Sequence, residues 1–194
     1  MSFREPGKIE IGLTNFFTYR LFAPQAKKYV NSLDLSGAEK VLDYGSGNGA
    51  VTRFLARRVQ CSGSDNESGG EVVCVDISRE WQRVIRKKLQ KYTNIRYFHG
   101  TLGEFTASGN ERGSFDAVFI HYMLHDIPKE ERQGKLVLLS ELLKSGGRLF
   151  IKEPVKIAHG IPADEIRMMC MKAGFTEVEG DAGKKDFQGV FVQQ

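Results

Sequence analysis

The stretch Lys40-Val41-Leu42-Asp43-Tyr44-Gly45-Ser46-Gly47-Asn48-Gly49-Ala50 constrains this chain more than any other. Val41 and Leu42 read as a short buried strand, and Ala50 to Val59 read as a helix. Between them, Gly45, Gly47 and Gly49 supply a turn without side chains, so the backbone can approach a ligand closely. A helix after such a turn aims free N–H groups and the positive end of its dipole at whatever rests there. Strand, glycine turn and helix together predict a cofactor cradle in an α/β fold.

Which cofactor it suits depends on the residue beside the glycines. Gly45-x-Gly47-x-x-Ala50 is a loose match to the dinucleotide fingerprint, whose third position can be alanine. Asp43 argues against that ligand, because a carboxylate at the strand end repels a pyrophosphate on the turn. It favours a ligand that brings positive charge, such as an ammonium beside a sulfonium, as in S-adenosylmethionine. The run Val41-Leu42-Asp43-x-Gly45-x-Gly47-x-Gly49 resembles the first motif of the class I S-adenosylmethionine-dependent methyltransferases. That resemblance implies that Asp43 helps hold the methionine ammonium, directly or through water, and that Gly45, Ser46, Gly47 and Gly49 form the cofactor turn.

With 194 residues the chain fits one ordinary domain with a full core. The net charge of +4 is spread over short basic groups such as Arg57-Arg58, Arg86-Lys87-Lys88 and Lys184-Lys185. A nucleic-acid footprint takes the form of a clustered stripe, so a nucleic-acid partner is not expected. Cys61, Cys74 and Cys170 are odd in number and form no CxxC pair, which fits reduced thiols in the cytoplasm. No apolar run approaches the roughly 20 residues needed to span a bilayer, and the first residues lack the apolar core of a signal peptide.

Residues 1–15 show no clear periodicity. An aromatic cluster comes next (Phe16, Phe17, Tyr19, Phe22), and Pro24 then opens a helix whose Ala26, Tyr29, Val30 and Leu33 share one face. The aromatics suit two compatible roles: docking residues 1–34 on the domain, and forming a lid over the ligand end. Residues 61–70, rich in Gly and Ser, read as a loop.

The second strand, Glu71–Asp76, is an apolar run ending in an acid. At the tip of a second strand, Asp76 can accept hydrogen bonds from a ribose diol, or it can cap the next helix. Ser78 reads as the cap of a helix carrying Trp81, Val84, Ile85 and Leu89. The third strand, Ile95–Phe98, leads to His99-Gly100-Thr101-Leu102. The resemblance implies that Asp76 and Ile77 contact the ribose side of the cofactor and that Thr101 and Leu102 flank its adenine. Thr101 stands where the family often has an acid.

Residues Ser114–His121 form the fourth strand, running into Tyr122-Met123-Leu124-His125-Asp126-Ile127-Pro128. This too resembles the family's fourth-strand motif. His121 and His125 are four apart, but that spacing faces one way only on a helix, so no metal site is expected at a strand-to-loop junction. His121 is expected to contact the cofactor near the sulfonium. His125 is a candidate acid/base group, and Glu153, at the end of a fifth strand (Gly147–Glu153), is a candidate base or substrate-orienting acid. The helix after Pro128 is expected to stop at Gly146-Gly147. A further helix over residues 163–173 and a terminal hairpin complete the chain.

The expectation is a doubly wound, Rossmann-like α/β domain of seven strands, mostly parallel with an antiparallel last strand. Residues 35–194 would form a minimal methyltransferase core under an N-terminal lid. The implied activity is methyl transfer from S-adenosylmethionine to a small molecule. Methylation of nucleobase amines is not expected, because the Asn/Asp-Pro-Pro-aromatic motif is replaced by His121-Tyr122-Met123-Leu124. The alternatives are an NAD-dependent oxidoreductase and a cofactor-binding module without catalysis.

Overall fold

The computed structural model describes residues 4–60, 69–109, 111–156 and 160–194. Most of the 61–70 loop, with Cys61, and part of the connection after the fifth strand lie outside the described residues. Seven strands take the order β3-β2-β1-β4-β5-β7-β6, the doubly wound arrangement expected. The chain divides into two compact units, Met1–Thr101 and Leu102–Gln194.

In the first unit, β1 (Lys40–Tyr44), β2 (Glu71–Asp76) and β3 (Ile95–His99) are parallel neighbours, with Asp43 opposite Cys74 and Asp76 opposite His99. Val41, Leu42, Val72, Val73 and Val75 are almost wholly buried, as near-continuous apolar strands covered on both faces require. Three helices precede or separate these strands: α1 (Lys8–Phe16), α2 (Ala23–Ser32) and α3 (Thr52–Arg58). A fourth, α4 (Arg79–Leu89), comes after β2, and its cap is Ser78, whose hydroxyl accepts from Trp81 N at 3.1 Å. Ile85 and Leu89 are its buried stripe, while Trp81 and Val84 are half-buried.

The second unit holds α5 (Leu102–Ser108), β4 (Phe115–His121), α6 (Lys129–Leu142), β5 (Leu143–Pro154), α7 (Ala163–Lys172), β6 (Phe175–Ala182) and β7 (Asp186–Gln193). Strands β4 and β5 are parallel, and β7 runs antiparallel to both β5 and β6. Phe105, Phe115, Phe119, Phe150, Phe187 and Phe191 are the largest of its fully buried side chains.

Four local expectations need correction. The helix after the glycine turn begins at Thr52 rather than Ala50, because Asn48–Val51 are still in turn conformation. Residues 8–16 are helical despite their weak periodicity, and a π-helical turn, Phe17–Leu21, joins α1 to the segment before α2. Leu102 opens a helix that residues 99–102 gave no sign of. Helix α6 ends at Leu142, not at the Gly146-Gly147 pair. The strand has already begun at Leu143, and Gly146, at φ 74°, marks an irregularity inside it. The glycines there shape a strand, and the helix stops because Leu143 is extended.

One glycine of the cradle is held by packing. A Cβ on Gly49 would lie 2.5 Å from Ile85 Cγ1 and 2.9 Å from Leu89 Cδ1, and its φ is 79°. Gly49→Ala therefore both strains the backbone and pushes α4 away. It is expected to lower unfolding stability by about 2–4 kcal/mol, read from urea unfolding with an unchanged slope.

Candidate active site

The carboxyl ends of β1 and β2 carry the cradle. Gly45, Gly47 and Gly49 all have left-handed φ values (75°, 51° and 79°), the conformations that favour glycine. Gly45 N donates to Val75 O at 2.9 Å, and Gly49 N closes a turn on Ser46 O at 3.0 Å. Gly47 differs from Gly49, for a Cβ placed on it would meet nothing closer than Gly45 O at 4.0 Å. The space over Gly47 is left open by the protein, as a ligand cradle requires.

Asp76 sits at the tip of β2 and joins three elements. Its Oδ2 accepts from Gly47 N at 2.7 Å and its Oδ1 from Ser78 N at 2.8 Å. The two readings of Asp76 are thus not exclusive. It anchors the turn and the start of α4, and each carboxylate oxygen keeps a second lone pair for a hydroxyl donor. Burial raises its pKa, the Ser78 and Gly47 N–H groups pull it down, and the nearby Glu5 raises it again, with a net rise. Ile77, beside it, is 38% exposed.

Asp43 is buried, so of its two expected routes to a ligand only the indirect one is open. It is only 3% exposed, and Thr52 Oγ1 donates to its Oδ2 at 2.5 Å. It lies beneath the turn, reaching a ligand at most through its surroundings. Burial pushes its pKa up to about 7, with Thr52 opposing and Asp76 adding to the rise.

Residues that sequence reasoning missed tie the N-terminal segment to this cradle. Asn48, almost buried, donates through Nδ2 to Asn15 Oδ1 at 3.0 Å and to Thr18 Oγ1 at 2.8 Å. Its carbonyl accepts from the Tyr19 hydroxyl at 2.9 Å, and its own Oδ1 accepts from Ala50 N at 3.1 Å. Arg53 lies 4.4 Å from the Tyr19 ring centroid and Lys88 4.2 Å, both within cation–π range. Glu5 caps α4 from outside: its carboxylate accepts from Ser78 Oγ at 2.6 Å and Arg79 N at 2.8 Å. The residue type of Glu5 gave no signal, since these partners are 73 and 74 positions away. Thr101 is exposed at the end of the first unit.

In the second unit, Leu102 is buried at the start of α5, so its side chain packs in the core. The ends of β4 and β5 carry the histidines. His121 is half-buried, with Tyr122 packed edge-on at a centroid distance of 4.5 Å. Burial and the Lys152 ammonium push its pKa down to about 3, which leaves the imidazole neutral at physiological pH. Tyr122 has φ 53°, the only left-handed non-glycine among the described residues. That conformation costs about 1–2 kcal/mol in a bulky residue and marks this strand end as specially shaped. No residue pattern announced it.

Glu153 is fully buried, and its expected role as a base does not survive. Its Oε1 accepts from Met123 N at 2.8 Å and Leu124 N at 2.7 Å, and its Oε2 lies 2.7 Å from His125 Nδ1. A carboxylate so engaged fixes other groups. It holds a 3₁₀ turn, Leu124–Asp126, and favours the His125 tautomer with Nδ1–H toward the carboxylate, which leaves the lone pair on Nε2, 3.5 Å from Asp126 Oδ1. Burial pulls the His125 pKa down, but Glu153 and Asp126 outweigh it and the net shift is upward. Among the described residues, no group of three or more His, Cys, Asp or Glu could hold a metal.

A doubly wound sheet with a glycine turn after its first strand and an acid at the tip of its second defines a Rossmann-like ligand-binding protein. Residues 41–147 match the family model described as methyltransferase domain, and the chain belongs to that family. Among curated relatives, the demethylmenaquinone methyltransferase of Tropheryma whipplei is 31% identical over 121 residues, which are 62% of this chain and 44% of that protein. A protein-L-isoaspartate O-methyltransferase of Dictyoglomus turgidum is 33% identical over 122 residues, 62% of this chain and 46% of that protein. The matched part is thus less than half the length of either relative. Among solved structures, the N-methyltransferase NodS of Bradyrhizobium japonicum, in complex with S-adenosyl-L-homocysteine, superposes with a TM-score of 0.70. It is 15% identical, and the match covers 96% of this chain and 93% of that one.

Each of the two buried acids has a measurable consequence. The folded Asp43 keeps its proton up to about pH 7, whereas the unfolded one loses it near 3.8, so this residue opposes folding increasingly as pH rises between those values. Asp43→Asn is expected to raise Tm at pH 8 by several degrees and to leave it nearly unchanged at pH 4, by calorimetry. Glu153→Gln removes the charge that sustains His125, so the His125 pKa should fall toward its ordinary value in an NMR titration of the imidazole. An unmoved His125 would show that Glu153 does not tune it.

Proposed function

We propose that this chain transfers a methyl group from S-adenosylmethionine to a small-molecule acceptor. The observation that carries this reading is the glycine turn pinned by Asp76, with open space over Gly47 and an acid, Asp43, set beneath it. That arrangement fits the proposed group: backbone N–H groups and a ribose-competent carboxylate are present, and a buried acid that a cation over the turn would ionise suits a sulfonium and an ammonium better than a pyrophosphate. S-adenosylmethionine, when bound, supplies an electrophilic methyl on a sulfonium.

The chain's own residues have the remaining tasks. Gly45, Ser46, Gly47 and Gly49 form the turn against which the cofactor rests, and Asp76 takes the ribose hydroxyls with the lone pairs that Gly47 and Ser78 leave. Asp43, its carboxyl held by Thr52, ionises when a positive charge arrives over the turn and then adds negative potential there. The N-terminal segment, fastened by Tyr19, Asn48 and Glu5, shields the turn from water. Methyl transfer chiefly needs an aligned nucleophile and excluded solvent. Where the acceptor carries a proton, His125 Nε2 is the base, oriented by Glu153 through Nδ1. Within the second unit, His121 and Tyr122 shape the end of β4, and the imidazole stays neutral.

The relatives' names give demethylmenaquinone and protein L-isoaspartate as acceptors, and the small-molecule reading is favoured by the menaquinone members. The buried free thiols of Cys74 and Cys170 fit a reducing compartment, in line with the cytoplasm.

Calorimetric titration with S-adenosylhomocysteine and with NADH tests the cofactor. Binding of S-adenosylhomocysteine alone is expected. Gly47→Ala should weaken it about tenfold or more while lowering stability by only about 1–2 kcal/mol, since the added methyl meets ligand rather than protein. Binding of NADH alone would replace the methyltransferase reading with a dehydrogenase one. If the cofactor binds, a His125-dependent methylation rate should rise with pH through the raised His125 pKa, because only the neutral imidazole accepts a proton.

A further inference from the structure

Helix α1 and the π turn after it are inside out. Their half-buried positions, Ile11, Thr14, Asn15, Thr18 and Tyr19, are mostly polar, and three of them hydrogen-bond to Asn48. Their outward positions are apolar: Ile9 is 82% exposed, Leu13 55%, Phe16 56% and Phe17 42%. Leu21 and Phe22 continue the strip at 51% and 55%. None of the nine residues of α1 is buried. An ordinary surface helix turns its apolar stripe to the core and its polar face to water. Here the polar face is already used by the protein, so no rotation of the helix would bury the strip.

The charge around the strip decides what covers it. Residues 4–33 hold five cations, Arg4, Lys8, Arg20, Lys27 and Lys28, against two acids, Glu5 and Glu10. Glu5 is spent on the start of α4, and Glu10 pairs with Arg4 at 3.0 Å. Lys8, Arg20, Lys27 and Lys28 are exposed, and no acid occurs from Ile11 to Leu33. A two-fold contact with a second copy would bring the same cations face to face, which opposes association. An anionic surface neutralises them. Exposed Phe and Leu on α1 and the π turn, with Lys8, Arg20, Lys27 and Lys28 exposed around them in the chain, is the composition of an interfacial membrane anchor.

We propose that the outward face of residues 8–28 docks on an anionic lipid bilayer, with Leu13, Phe16 and Phe17 entering the headgroup boundary and Lys27 and Lys28 contacting lipid phosphates. Because the same helix holds Asn48 by its inner face, docking brings the glycine turn to the membrane surface. Docking of this kind does not depend on which cofactor the turn holds.

Vesicle co-sedimentation of the full chain tests it, using phosphatidylglycerol-rich vesicles and pure phosphatidylcholine vesicles. Binding to the anionic vesicles, weakened by raising salt from about 50 to about 500 mM, is expected. Phe16→Ser with Phe17→Ser should weaken it about tenfold or more, and Lys27→Gln with Lys28→Gln roughly twentyfold. Both double variants should keep the wild-type Tm, as their side chains are exposed, and a retained Tm separates lost docking from lost folding. Sedimentation with neither vesicle, or equally with both, would overturn the proposal. So would a concentration-dependent dimer in analytical ultracentrifugation that the two Phe substitutions abolish.

Discussion

The carboxylate of Asp76 is the constraint on which the ligand end of the first unit depends. With one oxygen on Gly47 N and the other on Ser78 N, it sets the turn after β1 and the start of α4 from the tip of the strand between them. The left-handed glycines make the turn possible, but they do not choose its position. A charge-assisted pair of hydrogen bonds to a buried acid does, at roughly twice the strength of neutral ones. The same acid is therefore structural before any ligand arrives, and each of its oxygens keeps a lone pair beyond these two bonds.

Two buried acids illustrate how environment assigns roles. Glu153 and Asp43 are both nearly or wholly removed from water. Glu153 accepts two backbone N–H groups and faces an imidazole, a set that suits an ionised carboxylate and turns it into a fixed frame for His125. Asp43 faces a threonine hydroxyl and is raised by burial toward neutrality. A carboxylate left in that state is responsive to a cation placed over the turn, because a nearby positive charge restores its ionised form.

The N-terminal segment connects the cradle to the outer surface. Its α2 buries Tyr29 and Val30, but the part before it, α1 and the π turn, is fastened by hydrogen bonds to Asn48 and by the Glu5 cap on α4, with no residue of α1 buried. Most helix stability in proteins comes from packing an apolar stripe. This helix is held by polar and cation–π contacts instead, and its apolar stripe is left to a surface outside the chain.

The parallel strands, the glycine turn, the acids at two strand tips and the antiparallel end were all legible in the amino-acid order, because they rest on local patterns. Apolar runs of strand length, glycines at alternate positions and a terminal pair of alternating segments need only neighbours in sequence to be read. The same order brought Asp43, Asp76 and His125 to notice as chemical candidates. Partnership at long range was not legible. That Glu153 would be saturated rather than basic, that Asp43 would lie under the turn, and that Asn48 and Glu5 would fasten the N-terminal segment all depend on atoms 28 or more positions apart, or on burial. The aromatic cluster shows the same division. Its residue types suggested packing, yet only Tyr19 turns inward among them, because hydrogen bonds to the Asn48 loop, formed only when the chain has folded, decide which face of the helix meets the protein.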